Sequence, residues 1–419
     1  MNRLWKPLLV VAALSFPATQ ADAKTSITVL YPYPSLFKGL HEEIAKTFMA
    51  ERPDIEIKFL APAADYEDAT QQVLRGAVAG KMPDVAYQGL NRVRIFVERK
   101  LAIPFAPLIK SEKNWNSLGY GETMIALGKV GDAVYGIPFS ISTPVLYIND
   151  DLVKKVGGNP DKFPKTWPDI MGIGKKISGL GGGITGVHIE YTITGNWMFQ
   201  ALVFSHGGSF LTADEKKPAI DSAAGVTALE VLKAATEAGM QDQSSSQARA
   251  AFVAGKIGVY ADSTAFLGTV TRQVKDQFKF RTAEFPVPAK DGKLPAGGNV
   301  AMIFAKDKAK QKAAWEYIKF ATGPVGQTLM VQKTGYMPIN DISIKDPKYL
   351  GKFYQTNPNH MTSIRQLPVM TSWYAFPGAN ALKITDVIKD DLQTVVAKSE
   401  SPAAVAKNMA KHIGSLLPK

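Results

Sequence analysis

The sequence predicts an α/β protein built as two lobes. Three observations lead there. Short β-rich segments alternate with helix-length amphipathic ones from residue 26 onward, and the same alternation resumes after residue 144. The chain has 419 residues, 46% hydrophobic and 21% charged, which is ordinary for a globular protein and too long for one compact sheet. That composition excludes a disordered chain, a collagen-like repeat and a polytopic membrane protein.

The elements follow in order. Arg3 and Lys6 precede an apolar run at residues 8–14, and Ala21-Asp22-Ala23 offers a small-x-small cleavage pattern. Residues 1–23 therefore read as a secretory signal peptide, with an apolar run too short to span a bilayer. Ser26-Ile27-Thr28-Val29-Leu30-Tyr31 predicts a buried strand. Leu36, Leu40, Ile44 and Phe48 recur every four residues, predicting a helix that stops at Glu51-Arg52-Pro53, where proline restricts the residue before it. Ile55-Glu56-Ile57-Lys58-Phe59 alternates apolar with charged, as a half-solvated strand does. A helix from Tyr66 to Ala79 then leads through Gly80 and Pro83 to a third strand at Asp84-Val85-Ala86-Tyr87. This alternation predicts a largely parallel sheet. Further along, Pro144-Val145-Leu146-Tyr147-Ile148 reads as a strand, and Thr166 as an N-cap with Asp169 at N3. Strands are also expected at 255–260 and 300–304, and an amphipathic helix at 308–320 with Ala314, Trp315, Ile318 and Phe320 for packing.

Most catalytic constellations are missing. The chain has no cysteine, which rules out disulfides, zinc-thiolate sites and thiol nucleophiles. His41, His188, His206, His360 and His412 form no i, i+4 pair, and no Gly-x-Ser-x-Gly elbow occurs. No metal or other cofactor is expected. Gly181-Gly182-Gly183-Ile184-Thr185-Gly186 fits a dinucleotide fingerprint by spacing but precedes a strand instead of following one. The formal charge of +12 comes from dispersed lysines and arginines, and the richest run, 306–312, is broken by Asp307 and leads into a helix. That is a solvated face, not a phosphate-binding one, and no nucleic-acid partner is expected.

What stands out is a set of aromatics and small polar residues at strand ends. Tyr31 and Tyr33 end the first strand, Tyr66 and Glu67 open a helix, Ser142 precedes a strand, Trp197 sits beside Gly195 and Asn196, and Asp262 and Ser263 follow Tyr260. Ligands of open α/β sheets bind beyond the carboxyl ends of strands. Flat rings ringed by hydroxyl, amide and carboxylate groups suit a polyhydroxylated solute, although each aromatic taken alone serves core packing equally well. A rival reading is a secreted glycoside hydrolase using Glu67 and Asp262 as paired carboxylates.

Phe139-Ser140-Ile141-Ser142-Thr143-Pro144-Val145-Leu146-Tyr147-Ile148-Asn149 followed by Pro164-Lys165-Thr166-Trp167 resembles the crossover region of the family 1 extracellular solute-binding proteins of ABC importers. Lys333-Thr334-Gly335-Tyr336-Met337-Pro338-Ile339 and Phe353-Tyr354 through Asn357-Pro358 resemble two further signatures, most closely those of the sn-glycerol-3-phosphate-binding branch. The resemblance implies a two-lobed periplasmic-binding-protein fold hinged between residues 24–139 plus 294–342 and residues 142–290 plus 345–419. It implies a periplasmic monomer with no catalytic activity that closes on a small solute and presents it to permease subunits. Carried over by position, Tyr66 and Glu67 hydrogen-bond ligand hydroxyls, Ser142 donates from the hinge and Trp197 stacks on the ligand. Ser263, Gly298 and Tyr336 line the closed cleft and, with backbone N–H groups near Gly297, hold the anion in phosphate-binding relatives. Two departures matter: Thr194 replaces the second of a tryptophan pair, and Pro377 replaces the arginine expected to meet phosphate. Proline offers no donor, whereas arginine is the bidentate phosphate reader. Trp373 and Tyr374 add aromatic surface nearby. The expected solute is therefore a neutral carbohydrate, polyol or glycoside, with glycerol-3-phosphate or a glycerophosphodiester as the alternative.

Overall fold

In a computed structural model that describes residues 24–398 and 400–419, nine strands form two separate sheets. The expected signal peptide lies outside the described residues. The first sheet holds β1 (Thr25–Leu30), β2 (Ile55–Phe59), β3 (Val85–Gly89), β4 (Ile137–Ser142) and β9 (Gly297–Ile303), in the order β2-β1-β3-β9-β4. The second holds β5 (Pro144–Asn149), β6 (Thr185–Ile189), β7 (Ile257–Ser263) and β8 (Phe280–Glu284), in the order β8-β5-β7-β6.

Consecutive strands β4 and β5 lie in different sheets with only Thr143 between them. The chain leaves the second sheet after β8 and rejoins the first at β9. These transfers make both sheets more mixed than expected. β1 pairs in parallel with β2 and β3, but β9 runs antiparallel to β3 and β4. In the second sheet only β6 and β7 are parallel. Parallel neighbours need a helical crossover within one lobe, and strands arriving from the other lobe are free of that constraint.

Local chemistry fixes the elements that reach the cleft. The helix Pro34–Glu51 starts with proline at its first turn and buries Phe37, Leu40, Ile44 and Phe48. The inward register thus begins at Phe37, and Leu36 is left half-buried beside the cleft. The helix Tyr66–Ala79 is capped by Asp65, whose carboxylate accepts from the Asp68 N–H at 2.8 Å, and ends at Gly80 in the left-handed region. Thr166 caps the helix Trp167–Ser178, and its hydroxyl donates to Asp169 at 2.6 Å. The helix Lys308–Thr322 buries Ala314, Trp315 and Ile318, with Phe320 only half-buried. Gly181, Gly182 and Gly183 all have positive φ in the turn before β6, where no helix opens to receive a phosphate.

Tyr31 is core. It continues the two-residue rhythm of Ile27 and Val29 into the sheet's buried face, where its ring lies 4.7 Å from His41 and 5.4 Å from Phe59. His41 also stacks on Phe139 at 5.2 Å, and neither ring nitrogen has a partner among the described residues.

Candidate ligand-binding site

A cavity of about 380 Å³ lies between the lobes. Its first wall is made by two helix starts. The Asp65 cap sets Tyr66 and Glu67 in the first turn of their helix, at the lip of the cavity. Tyr33 caps the preceding helix in a left-handed conformation (φ 52°) and meets Tyr66 edge to face at 5.1 Å. Glu67 pairs with the buried Arg92 through Oε1. Burial raises the Glu67 carboxyl above its ordinary range, while Arg92 pulls it down.

The second wall follows β6. Gly195 and Asn196 are both left-handed and turn the chain into the helix Trp197–Ser205. A Cβ on Gly195 would come within 2.9 Å of the Trp373 ring, so only glycine lets that ring approach. Trp373 stands 6.2 Å from Trp197 and 6.0 Å from Tyr66. Tyr33, Tyr66, Trp373 and Trp197 thus form an aromatic chain that crosses from one lobe to the other. Thr194 leaves the position of a paired tryptophan empty of aromatic surface, and Trp373 brings a ring to the same wall from a distant segment.

The floor is backbone. Gly297 and Gly298 of β9 face Ser142 and Ile141 of β4. A Cβ on Gly297 would sit 2.6 Å from Ser142 Oγ and 2.8 Å from the Trp197 ring, and at Gly298 (φ 113°) it would collide with the Ser140 carbonyl oxygen. Tyr336 and Ser263 border this floor, and Asn299 donates to the Tyr66 hydroxyl at 3.3 Å.

Ten residues singled out from sequence meet here: Tyr33, Tyr66, Glu67, Ser142, Trp197, Ser263, Gly297, Gly298, Tyr336 and Trp373. Three do not line the cavity. Tyr31 packs in the core. Asp262 is fully buried behind the wall, where Oδ2 accepts from Arg249 Nε at 2.9 Å and Oδ1 from the Ser263 N–H at 2.7 Å. Tyr374 donates to Glu215 at 2.9 Å, and Glu215, in a left-handed turn (φ 57°), pairs at 2.8 Å with Arg94 from the helix Val93–Glu98 of the other lobe. Tyr374 therefore supports a clasp between the lobes and not the cavity itself.

The cavity also holds residues that were not among those candidates, notably Asp65, Thr194, Asn196, Arg249, Phe266 and Lys389. Asn196 flanks Trp197 and could have been found by that proximity. Four buried polar atoms on these walls have no hydrogen-bond partner among the described residues: Glu67 Oε2, Thr194 Oγ1, Asn196 Oδ1 and Trp197 Nε1. The Asn196 amide is oriented by its donation to the Thr385 carbonyl at 3.0 Å, which leaves Oδ1 as the free acceptor.

Residues 43–362 match the family described as bacterial extracellular solute-binding protein. The chain belongs to that family. This solute-binding protein is 24% identical to the sn-glycerol-3-phosphate-binding periplasmic protein of Agrobacterium fabrum, across 97% of this chain and 96% of the relative. It is 23% identical to a binding protein of Brucella abortus, across 100% and 99% of the two chains. Its fold matches UgpB of Mycobacterium tuberculosis, solved with glycerophosphocholine, at a TM-score of 0.84 and 19% identity over 94% of this chain and 98% of that one. A maltose-bound T. maritima protein matches at 0.80 and 20% identity, over 94% and 100%. The solute-binding protein is the capturing component of an ABC importer and works outside the cytoplasm. Among the described residues no cluster is placed to hold a metal ion, and no helix is long and apolar enough to cross a membrane.

Proposed function

We propose that this protein captures a polyhydroxylated solute, namely a carbohydrate, polyol or glycoside, by closing its lobes on it in the periplasm and passing it to membrane permease subunits. The observation that carries this reading is the set of unpartnered polar atoms on the cavity walls. Glu67 Oε2 and Asn196 Oδ1 can only accept, Thr194 Oγ1 can do either, and Trp197 Nε1 donates. A buried polar group left unmatched costs about 1–3 kcal/mol, so a ligand that supplies partners gains what the protein's own groups do not provide. Ligand hydroxyls donate to carboxylate and amide oxygens, and a sugar or polyol brings more of them than glycerol-3-phosphate, which has two beside a phosphate that only accepts.

The lobes are residues 24–139 plus 294–342 and residues 142–290 plus 345–419, and a cleaved segment 1–23 directs export of a monomer. The protein binds without catalysis. Of the two carboxylates a hydrolase would need, Asp262 is enclosed and engaged by Arg249 and the Ser263 N–H. The aromatic chain and the ring of Tyr336 suit the C–H faces of a sugar or polyol. Glycerol phosphate or a glycerophosphodiester is the second reading. It is favoured by what the Agrobacterium and Mycobacterium proteins bind, and Pro377, which is buried and does not line the cavity, does not decide against it.

A thermal-shift screen of the mature protein over sugars, polyols and glycerophosphodiesters should raise the melting temperature with a hydroxyl-rich neutral compound. Small-angle scattering with that compound at saturation should show a smaller radius of gyration. Steady product release from a glycoside would overturn the binding-only reading.

A further inference from the structure

We infer that Arg249 is the residue that reads the acceptor oxygens of the solute, and that it does so as a neutralised donor selecting an uncharged ligand over an anionic one. This inference rests on the polyhydroxylated-solute reading above.

Arg249 reaches the cavity from the helix Ser245–Val253, and its side chain is 23% exposed. It is held on two sides. Nε and Nη2 donate to Asp262 at 2.9 and 3.4 Å, and the guanidinium carbon lies 3.4 Å from the centre of the Phe266 ring. Such a clamp fixes the plane of the guanidinium before any ligand arrives. Two of the five N–H groups of a guanidinium are engaged by Asp262, and the other three have no protein partner among the described residues.

The surroundings cancel the charge that Arg249 brings. Asp262 is fully buried directly behind it. Glu190, also fully buried, accepts from the hydroxyls of Thr192, Ser245 and Tyr260 at 2.5, 2.9 and 3.1 Å. The remaining charged groups on the cavity are Asp65, Glu67 and Asp386 against Lys389, with Arg92 paired to Glu67 from behind the first wall. An entering anion meets a wall in which carboxylates outnumber cations, whereas a hydroxyl or ether oxygen accepts from Arg249 without bringing a charge. The cavity is therefore polarised, with acceptors at Glu67 and Asn196 and donors at Arg249. A polyol carries both functions on each oxygen and satisfies both ends.

The test is calorimetric titration of the wild type, R249Q, R249K and the double variant R249Q/D262N with maltose, trehalose, sorbitol, glycerol-3-phosphate and glycerophosphocholine. Each variant is first checked for its melting temperature. The double variant removes the ion pair as a pair, so it keeps the question answerable where R249Q alone strands Asp262 and unfolds. The expected result is a neutral compound that binds the wild type at least tenfold tighter than either phosphate compound, and at least tenfold weaker binding of it by R249K and the double variant. R249K retains charge but loses the fork. Wild-type affinity in both variants overturns the role of Arg249 and leaves the polyol reading standing. Tighter binding of the anionic glycerol-3-phosphate overturns the selection of uncharged ligands, and tighter binding of the zwitterionic glycerophosphocholine overturns the preference for hydroxyl and ether oxygens over phosphate oxygens. Failure of every compound to bind the wild type rejects the polyol reading and this inference with it.

Discussion

The two walls of the cavity reach the same end by different construction. The first is assembled from neighbours: Tyr33, Asp65, Tyr66 and Glu67 sit at two successive helix starts, positioned by a cap and a turn. The second draws on separate stretches, with Thr194 to Trp197 after β6, Arg249 from a helix, Ser263 from the end of β7 and Trp373 from near the C-terminus. A wall made by local rules tolerates change one residue at a time. A wall made of long-range contacts is coupled, and disturbing one member moves others.

Trp373 should break the comparison most severely, because it touches both walls. Trp373→Ala empties a buried site and is expected to cost roughly 3–5 kcal/mol of stability together with most ligand affinity, read by melting temperature and titration. A variant that melts normally would show that the walls stand independently. Trp197→Ala should weaken solute binding by roughly 1–3 kcal/mol and, because the ring is buried, also lower the melting temperature while the fold persists, measured by calorimetry with circular dichroism as the control. Unchanged affinity would assign Trp197 to the core, where its 1% exposure already places most of the ring.

At neutral pH smaller effects are expected behind the first wall and at the clasp. The His41 imidazole, enclosed by aromatic rings, has its pKa lowered by burial to about 3. Its neutral form therefore stabilises the fold fully above the unfolded pKa, near 6.5. That contribution is lost as pH falls toward 3, at about 1.4 kcal/mol per unit. His41→Leu should flatten this acid limb in pH-dependent denaturation and change stability little at pH 7. Arg94→Ala opens a partly exposed interlobe pair, so affinity should fall by no more than about 1 kcal/mol. The loss should shrink further at high salt, and an effect as large as that of Trp197→Ala would move the main closing force from the cavity to the clasp.

The first wall was legible because its causes are adjacent in sequence. Tyr66 and Glu67 stand at an expected helix start beyond a strand end, which is where a ligand goes, although the Asp65 cap that fixes them shows only in the structure. Tyr31 was misplaced for a reason also visible in the chain: it shares the parity of Ile27 and Val29 and so faces the core. Arg249 was not legible. Its helix offers no local sign of function, and its partner Asp262 is a strand residue whose approach depends on how β7 packs. The same holds for Lys389, exposed on the helix Ala381–Lys398. Sequence signatures pointed to the lobe crossing, but a single residue, Thr143, separating two sheets is a fact of topology that no periodicity encodes.

The glycine floor has a consequence for how such a protein changes its diet. At Gly297 and Gly298 every larger residue collides with Ser142, the Trp197 ring or the Ser140 carbonyl. These positions also belong to β9, one of the strands that carries the chain between lobes. Substitution at these two sites is therefore opposed by sterics, and specificity is easier to change at the rims. A library built to redirect the protein toward a new sugar should hold 297 and 298 fixed and randomise Thr192, Thr194, Ser245 and Lys389, so that recognition drifts while the moving parts stay the same.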